Sequence, residues 1–253
     1  LGGRKLAGFK PVTDAAILAR LDEAARPHVV QLDLRALGLA DFGEMKSRGF
    51  GRPTSAAHCE LFYGGLPMTL ARWPNEGEWE KIAGFPETSG QNDSHGGTIG
   101  KLEDGFFYSG DRPRRWKDTS GLWVHGYWAW DWANSYERVT SLDVERRWVK
   151  TAPPHGQYGF RKGQRFFFLN VLEERDQPGE WFLDRTSGVL YFWPPAPASV
   201  AANVSSRPFS GKGSEADRVL TNAATETVLS LLAEPLLRLT DVSHVTFRDF
   251  RLE

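Results

Sequence analysis

The sequence has a single cysteine, Cys59, which excludes an internal disulfide framework and any zinc site built on thiolates. That thiol sits beside His58, but no other feature marks it as a nucleophile, so a buried bystander is expected. Histidine is also sparse. The six, at positions 28, 58, 95, 125, 155 and 244, show no HxH or HExxH spacing, so no metal site and no cofactor is expected. The net charge is −1, which leaves no electrostatic case for nucleic acid. Apolar runs are short, as in FFFLNVL with Asn170 in it, and nothing in the sequence reads as a membrane span. The opening LGGRKLAGFK has no apolar core of signal length. Helical periodicity is equally scarce. One segment, TDAAILARLDEAAR, predicts a helix, with Thr13 as N-cap, an apolar stripe of Ile17, Leu18, Leu21 and Ala25, and Pro27 ending it.

What the chain has in excess is aromatic rings: 13% of its residues, including 10 Trp and 16 Phe. Most of the rest reads as strand and turn. HVVQLDL predicts a short strand. CELFYGGLPMTLARWP predicts a hairpin about Gly64–Gly65, VTSLDVERRWVKTAPP one turning near Glu145–Arg147, and EWFLDRTSGVLYFWPP one whose turn ends at Gly188. Three hairpins with little helix between them predict an all-β fold, an antiparallel β-sandwich-like domain with one short N-terminal helix. Residues 84–105 and 194–227 are polar and without period, and are expected as long loops.

The two ends are written differently. LLRLTDVSHVTFRDFRLE has very short alternating segments, Leu237–Leu239, Val245–Phe247 and Phe250–Leu252, separated by polar corners. Strands stepping round corners in this way are how a parallel β-helix coil reads, and such a coil needs stacked neighbours to bury its apolar face. LGGRKLAGF likewise reads as the tail of a coil. The expected organisation is therefore the end of a β-helix coil over 1–10, a β-rich insertion domain over 11–230, and resumed coils over 231–253, in a chain cut from a longer protein.

Five blocks, GGRKLAGFKPV, DLRALGLADFGE, LFYGGLPMTLARWPNEG, DQPGEWFLDRTSGVLYFWPP and LLRLTDVSHVTFRDFRLE, occur in this order. Taken together they resemble bacterial right-handed parallel β-helix proteins related to glycoside hydrolase family 141, and in particular that family's insertion domain. The hairpin at Gly64-Gly65-Leu66-Pro67-Met68 departs slightly from the family's usual pattern, and 196–225 is longer than such domains need. The resemblance implies a secreted or periplasmic carbohydrate-active protein. It also implies a polysaccharide or oligosaccharide partner and intramolecular docking of the module on its β-helix. The catalytic carboxylates it implies would lie on coils beyond Glu253, so it assigns no catalytic residue to this chain.

The densest constellation is WVHGYWAWDWANSYE, residues 123–137, with four tryptophans. Read as one strand, its period of two puts Trp128, Trp130 and Trp132 on one face, continued by Asn134 and Tyr136. Three indoles in line suit a buried core or a docking seam; they equally suit a platform on which the apolar faces of pyranose rings stack. Asp131 and Glu137 raise the possibility of a glycosidase pair, but six positions along a strand put them roughly 20 Å apart, beyond the ~5–9 Å that chemistry needs, unless the chain turns between them at Asn134-Ser135. His125 is a substrate contact or, among so many rings, a structural residue. The substrate-contact candidates are thus Trp128, Trp130, Trp132, Tyr136, Asp131 and His125. The basic run Arg112-Pro113-Arg114-Arg115-Trp116 has the charge to grip an acidic sugar, and by default reads as a solvated basic turn. Three functions remain open: a non-catalytic module of a carbohydrate-active enzyme that caps the β-helix or walls its cleft, a structural or adhesive module making protein contacts, and a self-contained hydrolase.

Overall fold

The computed structural model of the chain describes residues 2–53, 55, 59–196, 226–232, 234, 237 and 239–248. Within them the chain is all-β with one short helix, and every strand pairing but one is antiparallel. All three expected hairpins form. Glu60–Tyr63 pairs with Leu66–Pro67, Asn134–Asp143 with Trp148–Thr151, and Glu180–Asp184 with Val189–Phe192.

The largest sheet has eight strands. Its spine runs from Phe106–Phe107 through Trp148–Thr151, Asn134–Asp143, Trp123–Tyr127 and Arg165–Leu169 to Arg72–Trp73, with Arg48–Gly49 and Glu80–Lys81 added alongside. Alternation along Trp123–Tyr127 and Arg165–Leu169 sends Val124, Phe166 and Phe168 to one face. There they join Phe106, Trp116, Trp128 and Phe160 in the larger core.

A second core lies between two smaller sheets. Leu6, Leu61 and Leu229 come from a four-stranded sheet ordered Gly3–Leu6, Thr227–Ser230, Glu60–Tyr63, Leu66–Pro67. Leu32, Trp181, Leu183, Leu190 and Phe192 come from a five-stranded sheet ordered Lys10–Pro11, Val30–Asp33, Val189–Phe192, Glu180–Asp184, Thr69–Leu70. The opposite face of that sheet, through Phe182, Val189 and Tyr191, is covered by the helical segment. The short run 66–73 enters all three of these sheets in turn, with Leu66–Pro67 in the four-stranded, Thr69–Leu70 in the five-stranded and Arg72–Trp73 in the eight-stranded sheet.

Several expectations need correction. The helix is only Ala15–Arg20, and its cap is Asp14 rather than Thr13: the Asp14 carboxylate accepts from the Ala16 and Ile17 N–H groups at 2.7 and 3.2 Å. Leu21 is already extended, yet Ile17, Leu18, Leu21 and Ala25 all pack where the stripe predicted. Residues 84–105 are not one long loop, because Gly90–Asn92 and Thr98–Gly100 form a hairpin. Asp93 organises its turn, accepting from the His95 and Gly97 N–H groups, both at 2.8 Å. The stretch 194–227 falls mostly outside the described residues. Residues 245–248 are not in strand, and Leu237 and Leu239 are exposed outside any sheet. A three-residue strand has too few hydrogen bonds to hold without a neighbouring coil. Phe250–Leu252 lies outside the described residues. Cys59 is the buried bystander expected, its thiol pushed up by burial; His58 lies outside the described residues.

Candidate functional site

The stretch 123–137 is not one strand. Trp123–Tyr127 and Asn134–Asp143 are the two arms of a hairpin, and residues 128–133 form the turn between them. The three tryptophans therefore do not share a face. Close approach explains the bend: a Cβ on Gly126 would lie 2.5 Å from the Trp128 ring, so the indole can fold back over residue 126 only because that residue is glycine. Trp128 ends in the larger core, and its Nε1–H donates to Ser135 Oγ at 2.8 Å. The hydroxyl in turn donates to Glu137 Oε1 at 2.6 Å, and Arg52 Nη2 reaches Glu137 Oε2 at 2.6 Å.

Trp130 is half-buried. The Arg161 guanidinium sits 4.4 Å over its ring, and His95 meets it edge-on at 5.1 Å. Arg161 also pairs with Asp93, so the 90–100 hairpin and the tryptophan turn are clamped by one side chain. Asp93 is held below the usual carboxylate range by the Gly97 and His95 N–H groups and by Arg161.

Trp132 is the ring left open, 60% exposed. Phe50 meets it edge-to-face at 5.0 Å and Tyr158 at 5.5 Å, and Phe50 and Tyr158 stack on each other at 6.0 Å. Phe50 and Tyr158 are themselves 37% and 43% exposed. Three exposed rings, braced by mutual contact, make one aromatic tip. Phe50 and Tyr158 were missed by the sequence reading, though Phe50 has a local signal in Gly49-Phe50-Gly51. A Cβ on Gly49 would lie 2.4 Å from the Asn134 carbonyl, so glycine lets this edge strand close on the hairpin beside Trp132. Tyr158 stands at φ +66, a conformation strained for a bulky residue.

His125 and Tyr136 sit on the other face of the large sheet. Arg48, Tyr136, His125 and Phe167 are successive register partners across four strands. Arg48 lies 3.7 Å over Tyr136, and Arg72 lies 3.4 Å over Phe167. Beneath them His125 is buried, pushed down to about 3 by burial and by the charges of Arg48, Arg72 and Arg165, so it is uncharged at neutral pH. Such a group is a weak base and supplies no proton. Asp131 is exposed in the turn and pairs with Arg165 at 2.6 Å. Asp131 and Glu137 are thus each bound to their own arginine, one at the surface and one buried. Among the described residues no cluster of His, Cys, Asp or Glu could hold a metal ion, and no helix is long and apolar enough to cross a membrane.

No family model matches the chain, and no curated protein does. One solved structure, described as a glycoside hydrolase, matches the chain. It has 15% identity and a TM-score of 0.47 over 90% of this chain and 31% of that one. This chain therefore corresponds to under a third of the length of that neighbour.

Proposed function

We propose that the chain is a non-catalytic β-rich module of a larger β-helix carbohydrate-active protein, and that it contacts polysaccharide through the Phe50–Trp132–Tyr158 tip. The observation that carries this reading is Trp132. An indole 60% exposed and fixed edge-on by two other exposed rings is held ready for the apolar face of a pyranose. The acids of 123–137 support the non-catalytic part. Glu137 is buried against Arg52 and Ser135, and Asp131 is paired with Arg165, which leaves neither free to act as acid and nucleophile on one bond.

Two features support an insertion between coils of another domain. Gly3–Leu6 pairs antiparallel with Thr227–Ser230 in the module's own four-stranded sheet, which moves the start of the insertion from residue 11 to about residue 3 and sets its two connections side by side, as insertion into another domain requires. Leu237, Leu239, Val242, Val245 and Phe247 are all about half exposed, an apolar set suited to burial under neighbouring coils. In that setting the module caps the β-helix or walls its cleft, in a secreted or periplasmic protein.

Affinity electrophoresis of the chain in gels containing xylan or pectin tests the reading. Retardation that Trp132→Ala abolishes is the expected result. Migration unchanged across a broad polysaccharide panel would overturn glycan contact and favour the protein-contact role.

A further inference from the structure

A cleft of about 420 Å³ opens between Trp123, at the start of its strand, and the turn that follows Glu180–Asp184. That volume lies within the ~300–1,000 Å³ of small-molecule sites. The hollow beside Arg48 and Arg72, at about 270 Å³, falls short of it.

The charges on the cleft's walls decide what it can hold. Arg138 and Arg185 face Glu44, Asp118 and Asp184, two positive groups against three negative, for a balance of −1. Among the described residues none of the five joins an ion pair within 4 Å. An anion would meet three carboxylates. The three carboxylates do not gather into a set able to hold a metal ion either. What suits separated donors and acceptors of both signs is a neutral ligand rich in hydroxyls, since each hydroxyl donates once and accepts twice.

Two lining side chains carry unused hydrogen-bonding atoms. Asn170 Oδ1 and Arg185 Nη1, one acceptor and one donor, are buried with no partner among the described residues. Asn170 is fixed in place, at φ +65 with its Nδ2 donating to the Gly121 carbonyl at 2.7 Å. Arg185 is fixed as well, through Nε to the Gly43 carbonyl at 3.2 Å. Trp123, 7% exposed, also lines the cleft.

We propose that this cleft binds one neutral pyranose unit of a glycan, with Asn170, Arg185 and Arg138 bonding its hydroxyls. The proposal rests on the glycan-binding reading above but uses none of the rings of the tip. Calorimetric titration of the whole chain with xylohexaose, cellohexaose and mannohexaose, and separately with oligogalacturonate, tests it. At least one neutral hexasaccharide should bind, and more tightly than the oligogalacturonate. Arg138→Met and Asn170→Gly should each weaken that binding about tenfold, the loss of one good hydrogen bond to the ligand. Glycine keeps the positive φ at 170. Arg138 is an exposed strand residue, so Arg138→Met keeps the test alive should Asn170→Gly fail to fold. Unchanged affinity in the folded variants, with binding lost in Trp132→Ala, would overturn the cleft and leave the tip standing. Tighter binding of oligogalacturonate would also overturn it. Absence of binding to any glycan by the unsubstituted chain would overturn both readings.

Discussion

The guanidinium of Arg52, itself partly buried, lies 2.6 Å from the buried Glu137 carboxylate, and the two residues are 85 positions apart in sequence. This pair anchors the edge strand that carries Phe50 to the hairpin that carries Trp132. Removing one partner strands a charge in a low-dielectric site, which costs about 3–5 kcal/mol. Arg52→Met should therefore lower the urea midpoint strongly, and Arg52→Met with Glu137→Met should recover part of the loss. A double variant as unstable as the sum of the two singles would show that the pairing contributes nothing.

The three tryptophans of the turn separate by stability. Trp128→Ala removes a core indole and should cost about 3–5 kcal/mol in chemical denaturation. Trp132→Ala removes an exposed one and should stay within about 0.5 kcal/mol of the parent. A comparable cost for both would mean that Trp132 is packed rather than displayed.

Burial and three arginines push His125 down to about 3, so the folded state keeps it uncharged while an unfolded chain protonates it near pH 6.5. The unfolded state gains protons first, so stability is full above pH 6.5 and lost as pH falls from there toward 3. The slope is at most about 1.4 kcal/mol per pH unit. His125→Phe keeps a ring among Tyr136 and Phe167 and should flatten this acid limb in urea denaturation followed from pH 7 to 4. An unchanged limb would place the acid sensitivity elsewhere.

Glu180 has the opposite dependence. Burial pushes its carboxyl up to about 8, so the folded state retains a proton that the unfolded chain releases near pH 4.5. Stability should fall as pH rises from about 4.5 through 8. Glu180→Gln, whose amide oxygen can still accept from the Asp176 and Gln177 N–H groups, should remove this decline. Parallel pH profiles for parent and variant would refute it.

The hairpins were legible because their turns are written in local chemistry, as at Gly64–Gly65 and Gly188. The helix stripe was legible from its spacing, although its length was not, since Leu21 breaks into extended backbone while keeping its place in the core. The tip was misread for a physical reason. Trp128 to Ala133 has neither glycine nor proline, and its one turn-forming residue, Asp131, is set among tryptophans at strand-like spacing. What bends the chain there is tertiary: space over Gly126, the clamp of Arg161 on Trp130 and Asp93, and closure of Gly49 on Asn134. Phe50 and Tyr158 lie far from Trp132 in sequence, and no periodicity can bring them together.

The run 66–73 bears on how the module comes apart. Eight consecutive residues give a strand to each of three sheets. Loss of any one sheet pulls directly on the other two, so partial melting has no natural stopping point. Heat or denaturant should take the described β-structure through a single cooperative transition, with near-ultraviolet and far-ultraviolet circular dichroism falling together.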